Sequence, residues 1–326
     1  MRNVLSTSHR SAWMRRLSFA LCVVASGLCC CWVWVAWAQP TTQPTTKPAT
    51  KPATQGAKKW AARKVAPATS PSLRPKQQNP VLSEGQKAEQ KALILLLKSR
   101  TFRVLSREAE RYTKKYPGDG VGWYLYAKAR YHLQRKPPYV RKDIQATART
   151  FARAISLTST KTCVPVLSWG HKHVLHWEAH MATGHLFYNL ILDAFLKHMR
   201  KQRRLPQKKR QAVTFVPNSQ DLAKAKAAYV MAAKVHQPNR FKRTLPFLQI
   251  GFLYGLLKKD YQQAVRWLHK AEAMDDRNLN VVGNLKMLYD RLQEDAENNG
   301  DHKLAEAYRK KSMEYDAKVA ALRGAR

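Results

Sequence analysis

No aspartate or glutamate occurs in the first 83 of this chain's 326 residues, so the positive charges there have no acidic side chain nearby to offset them. Cysteine is nearly as instructive. Four of the five cysteines (Cys22, Cys29, Cys30 and Cys31) sit in one apolar run, where they behave as small hydrophobes, and only Cys163 lies beyond it. A body with one cysteine has no internal disulfide, so packing must hold it together, and Cys163 is expected to be buried and inert. Glycine is scarce at 13 residues, and no alternating apolar-polar runs bounded by turn residues appear, which argues against a strand-built domain. Also missing are a G-x-S-x-G elbow, a phosphate-cradling glycine loop, a C-x-x-C-H haem motif and any pair of carboxylates placed by a catalytic motif. The common motif-bearing enzyme classes are thereby set aside, and a non-enzymatic protein with no cofactor is expected.

The chain begins with the parts of an export signal. Arg2, Arg10, Arg15 and Arg16 precede 22 apolar or small residues from Leu17 to Ala38, and Ala36-Trp37-Ala38 forms an A-x-A cleavage site before Gln39. Phe19 falls one residue late for a twin-arginine signal, which favours the general secretory route. Leu28 occupies the position before Cys29 where a lipoprotein signal needs a small residue. A run of this length is also sufficient to span roughly 30 Å of hydrocarbon, so residues 17–38 could remain as an anchor. Either way the body faces outward, because basic residues abut the start of the run and the next one after it is Lys47. The expectation is an exported protein of the periplasm or cell surface, touching a membrane only through residues 17–38 and only if the signal is not cleaved.

From Gln39 to Pro80 the composition narrows to Pro, Thr, Ala, Lys and Gln, with Pro40, Pro44, Pro48 and Pro52 at four-residue intervals. Such a stretch has too little apolar surface to fold, and its prolines favour polyproline II. At roughly 3.1 Å per residue it reaches about 130 Å when fully extended. Residues 39–80 therefore read as a disordered spacer.

Beyond Pro80 apolar residues recur at three- and four-residue spacing, with breaks at Pro117-Gly118, Pro137-Pro138, Pro206, Pro217-Asn218 and Pro238-Asn239. Residues 81–326 are expected to be an all-α domain. The chain's charge of +38 is unevenly placed: residues 81–259 hold 35 Lys/Arg against 9 Asp/Glu, whereas residues 260–326 hold 12 of each. Attraction to anionic partners should concentrate in the first part.

Within this domain Phe247, Ile250-Gly251 and Tyr254, followed by Ala264, Leu268 and Ala271, resemble the tetratricopeptide repeat. Small residues let two antiparallel helices approach, and bulky ones fill the space to the next pair. Two departures stand out: one extra residue between Tyr254 and Ala264, and Asp276 where the family usually has proline. Fainter copies include Phe102, Ala109, Tyr112 and Pro117; Trp123, Tyr126 and Ala127, closing on Phe151 and Ala154; Val230, Ala233 and Pro238; and Leu285, Tyr289, Gly300 and Ala305. The resemblance spans roughly residues 84–320. It implies an α-solenoid of helix pairs with a groove for a peptide or another envelope protein, and it fixes no groove residues.

Two constellations could add chemistry. In Trp169–His180, His173, His176 and His180 fall within roughly 60° of one another if the stretch is helical, which would offer three imidazoles to one metal. Glu178 points away from that arc, so the zinc-protease pattern is not met. The bland alternative is a histidine stripe packed between repeats. The second is Lys197–Arg210, eight basic residues in fourteen: Lys197, Arg200, Lys201, Arg203, Arg204, Lys208, Lys209 and Arg210. It follows a helix expected to begin near Met181 and stop at Pro206. It reads either as charge complementing a helix C-terminus or as a footprint for an anionic polymer such as lipopolysaccharide, acidic glycan or nucleic acid.

Overall fold

Seven of the described helices start on a short polar side chain that caps the first turn. Ser83, Asp119, Asn218, Asn239, Asp260, Asn278 and Asp301 each accept a hydrogen bond from a backbone N–H two or three residues on, at 2.9–3.2 Å. Serine, aspartate and asparagine do this because their oxygens reach donors that the helix leaves unpaired. The Pro-Gly and Pro-Asn breaks thus mark where one helix ends and the next is capped. The computed structural model describes residues 82–165, 172–205 and 215–325. The expected signal (1–38) and spacer (39–80) lie outside them.

In chain order the helices are α1 (Glu84–Lys98), α2 (Phe102–Lys115), α3 (Gly120–Leu133), α4 (Arg141–Ser156), α5 (Leu175–Arg204), α6 (Ser219–Lys234), α7 (Arg240–Phe252), α8 (Tyr261–Met274), α9 (Leu279–Asn298) and α10 (His302–Gly324). They pack as successive antiparallel hairpins, α1/α2 through α9/α10, and each hairpin leans on the next through α2/α3, α4/α5, α6/α7 and α8/α9. This is the tetratricopeptide-like, all-α solenoid arrangement. Each unit leaves an apolar face that its neighbour covers, so burial runs from hairpin to hairpin. Leu105, Tyr124, Leu125, Ile144 and Phe151 are fully buried in the first hairpins; Ile250, Val281, Val282 and Leu285 are fully buried in the last.

Small residues stand where close helix approach requires them. A Cβ on Gly251 would lie 2.9 Å from Leu268 Cδ2, and Ala264 and Ala271 are fully buried. In the middle hairpin a Cβ on Gly184 would sit 2.4 Å from the Tyr229 ring, so only glycine lets α5 and α6 close on each other there.

The extra residue after Tyr254 has a structural answer. Between α7 and α8 the helix widens into a π turn, Leu253–Lys258, that accommodates one more residue per turn than an α-helix. Lys259 then adopts a left-handed conformation (φ 54°), and its N–H and that of Asp260 both bond the Tyr254 carbonyl. Where proline was missing, the end of α8 is clasped instead. Arg240 donates to the Met274 carbonyl at 3.1 Å and pairs with Asp275 (3.4 Å) and Asp276 (3.0 Å).

Three features differ from expectation. A two-stranded antiparallel sheet, β1 (Cys163–Pro165) with β2 (Lys172–Val174), interrupts the helices, since the chain between α4 and α5 returns on itself before entering α5. Cys163 is exposed, not buried, on the first strand of this small sheet and not on a packed helix face. And α5 begins at Leu175, six residues before Met181, and runs for 30 residues against 16 in α6. No helix among the described residues is long and apolar enough to cross a membrane.

Candidate functional site

Hairpin packing sets α5 beside α3, and Lys242 of α7 reaches toward α5, bringing together groups far apart in sequence. Lys128 of α3 and Glu178 of α5 form an ion pair with side chains only 11% and 12% exposed. Tyr124 Oη donates to the same carboxylate at 3.4 Å, so the buried charge has two donors. An ion pair this far from water is stable only because both members are present; removing one typically costs about 3–5 kcal/mol.

Histidines surround the pair, and the site holds them neutral. Burial first, then the Lys128 ammonium, lowers the His185 pKa from the ordinary 6.5 to about 4. His132, stacked on Phe102 at 4.2 Å, is lowered to about 3 by burial, Lys128 and Arg135. His185 Nδ1 lies 3.4 Å from Tyr131 Oη, and its ring meets Tyr229 edge-on at 5.6 Å. From α7, the Lys242 ammonium lies 5.9 Å from the Trp177 ring, its pKa lowered chiefly by burial, with Glu178 opposing that and Lys128 adding to it.

Beyond Trp177 the packing leaves a cavity of about 250 Å³ among α5, the end of α6, α7 and the end of α8. Trp177, Gln237, Phe247 and Met274 line it, with Lys234 and Arg243 among its cations. Trp177 and Gln237 are 4% and 2% exposed. The indole Nε1 and the amide Nε2 are both buried, and neither has a hydrogen-bond partner.

Of the three histidines expected on one helical arc, His173 lies on β2, ahead of the first residue of α5, so the helical spacing joins only His176 and His180. His176 Nε2 approaches Thr158 Oγ1 (3.0 Å) and the Thr158 carbonyl (3.2 Å) near the end of α4; burial lowers its pKa against those bonds. His180 is lowered to about 4 by burial and then by His176. Among the described residues no cluster of three His, Cys, Asp or Glu side chains is arranged to hold a metal ion. Glu178 does face away from His176, toward α3.

Lys197, Arg200, Lys201, Arg203 and Arg204 are exposed along the last turns of α5, with Lys197 paired to Asp193 at 2.7 Å. Lys208, Lys209 and Arg210 lie outside the described residues. Sequence reasoning singled out these positions and the histidines, and passed over Lys128, Lys242 and Gln237. Their only local signal was two lysines on otherwise packed helices and a glutamine in the turn between α6 and α7.

No protein-family model and no curated protein sequence matches the chain. Among solved structures it is similar to MamA residues 41-end from Desulfovibrio magneticus RS-1 (14% identity, 73% of this chain and 98% of that one, TM-score 0.38). It is likewise similar to TTC0263, described as a thermophilic TPR protein in Thermus thermophilus (17%, 73% and 95%, 0.35), and to PilF of Pseudomonas aeruginosa (12%, 74% and 100%, 0.38).

Proposed function

We propose that this chain is an exported, non-enzymatic scaffold of the cell envelope that binds a protein partner along its helices α3, α5 and α7. The observation that carries this reading is that Tyr131, His185 and Lys242, each partly exposed, stand on helices of three different hairpins around the buried Lys128–Glu178 pair that fixes them. A hairpin array buries apolar faces against its own neighbours, and a face that gathers fixed charge and aromatic edges from several hairpins can read a partner over its length. Export is supported by the sequence alone: the basic start, the apolar run and the A-x-A site, followed by a 42-residue spacer.

The test is capture from an envelope fraction by the full exported chain, comparing Tyr131→Ala and Lys242→Glu with Arg149→Glu and Arg153→Glu on α4. The same partner should be retained by the α4 variants, survive about 0.5 M salt and be lost by the first two. Loss in all four variants, or in none, overturns the assignment of the face.

A second reading has its own observation: five exposed cations crowd the last turns of α5, which extend beyond the length of α6. We infer an anionic-polymer footprint there, continuing through Lys208, Lys209 and Arg210. Heparin retention should fall steeply with salt and drop when Arg203, Arg204, Lys208 and Lys209 are neutralised together. Salt-insensitive retention, or retention unchanged by that variant, removes this reading.

A further inference from the structure

The cavity beside Trp177 combines three properties that seldom meet by accident of packing. First, it contains two buried hydrogen-bond donors with nothing to donate to, Trp177 Nε1 and Gln237 Nε2. Gln237 is fixed in orientation, because its Oε1 already accepts from the Asn239 N–H at 3.3 Å, leaving the amide nitrogen as the unsatisfied end. An orphan donor on a residue less than a twentieth exposed is a standing cost that an acceptor would remove. Second, the charged side chains lining the cavity include Lys234 and Arg243 and no acid. The nearest acids in sequence are already engaged: Glu178 with Lys128, and Asp275 and Asp276 with Arg240. Third, Phe247 and Met274 supply an apolar wall, with the Phe247 ring stacked on Trp267 of α8 at 6.2 Å.

Donors and cations without an acceptor call for an anion, and a polarizable apolar wall beside them calls for a hydrocarbon body. At about 250 Å³ the space is smaller than the roughly 300–1,000 Å³ of sites for drug-sized ligands, so it suits one residue's worth of ligand and not a cofactor.

We propose that this cavity receives a carboxylate of a partner segment together with one adjoining apolar side chain, the carboxylate accepting from Trp177 Nε1 and Gln237 Nε2 under the field of Arg243 and Lys234. The proposal rests on the scaffold reading and names what the partner must carry. Two sources share this chemistry, an internal Asp or Glu and a chain end, and the probes separate them.

The experiment titrates the full exported chain with three compounds: N-acetylphenylalanine, with a terminal carboxylate; the capped dipeptide N-acetyl-Phe-Glu-amide, with a side-chain carboxylate; and N-acetylphenylalanine amide, with none. Binding is read by calorimetry and by the Trp177 indole N–H resonance, identified by its loss in Trp177→Phe. At least one acid should bind and shift that resonance, with the amide at least about tenfold weaker, as expected when a buried donor is left unpaired. Trp177→Phe, which keeps an aromatic ring, and Arg243→Gln, on an exposed side chain, should each weaken the acid by about tenfold while circular dichroism stays unchanged. Equal binding of acid and amide, an unmoved indole resonance with all three probes, or full affinity in Arg243→Gln overturns the proposal and leaves a cavity for water. If the envelope partner is still captured in those cases, the scaffold reading stands and only this inference falls. If an acid binds but no partner is ever captured, the carboxylate site stands and its assignment to a protein segment falls.

Discussion

The helices before and after Asp260 solve the same packing problem with different materials. In α8–α10 charges are balanced, and most ion pairs are short-range steps along a helix surface: Lys286–Asp290 at 2.8 Å, Arg291–Glu294 at 2.6 Å, Arg309–Glu306 at 2.9 Å and Lys311–Glu314 at 2.7 Å. The half-buried charge that joins helices there is Glu272, which accepts from Lys318 (2.6 Å) and Tyr315 (2.9 Å) and faces His269 (3.1 Å). In α1–α7 cations far outnumber acids, and several of the acids present are spent on long-range contacts: Glu178 with Lys128, Asp221 with Arg141 at 2.7 Å, and Asp119 with Tyr112 at 2.5 Å and Gln90 at 2.9 Å. Where acids are few, these are placed to join elements. The regular end supplies stability through repetition, and the irregular end concentrates the groups that could bind something.

Breaking the buried pair should separate the two regions most sharply. Lys128→Ala or Glu178→Ala leaves an uncompensated charge and should cost about 3–5 kcal/mol in urea or thermal unfolding, whereas Lys128→Met with Glu178→Leu together should recover most of it. Acid is the next lever, and the sign follows from the histidines. His132 and His185 have folded pKa values depressed below 6.5, so the unfolded chain binds the extra protons. The stability they contribute is complete above pH 6.5 and is lost as pH falls from there toward about 4 for His185 and about 3 for His132. At about 1.36 kcal/mol per pKa unit, the partly buried His185 accounts for up to roughly 3 kcal/mol of that loss, and His185→Gln should flatten this part of the pH profile. Glu272 acts lower on the scale. Burial pushes its pKa up, but bonds from Lys318, Tyr315 and His269 overcome that and hold it below the ordinary 4.5, so its contribution persists above that value and is lost only in stronger acid.

Glycine substitutions sharpen the contrast further. Gly184→Ala drives a methyl into the Tyr229 ring and should cost about 1–3 kcal/mol, while Gly283→Ala in α9 meets nothing within 4 Å and should gain up to about 1 kcal/mol. The smallest effect belongs to the surface ladder: Glu306→Gln, whose side chain is half exposed, should change unfolding stability by no more than about 0.5 kcal/mol.

Much of the fold could be read from residues in sequence. Helix limits follow from Pro117-Gly118, Pro217-Asn218 and Pro238-Asn239 because capping and proline geometry act within a few residues. The Gly251, Ala264 and Ala271 series was legible because close helix approach demands small side chains at fixed spacing. The start of α5 was not, since Val174 stands at its N-cap and offers no side-chain capping bond to mark it. The site was less legible still. Lys128 meets Glu178 across 50 residues, and Trp177 and Gln237 share a cavity only because a 30-residue helix and the α6–α7 turn are brought together. No local periodicity encodes that meeting.

The π turn at Leu253–Lys258 acts as a change of gear. One residue beyond an α-helical turn advances the chain by about 100°, and where Gly251 before it meets Leu268 and Ala264 of its own hairpin, Gly255 within it meets Ala264 and also Leu288 of the next. Deleting one residue of that turn would restore a plain helix and swing everything downstream, a hinge setting written into chain length and not into any side chain.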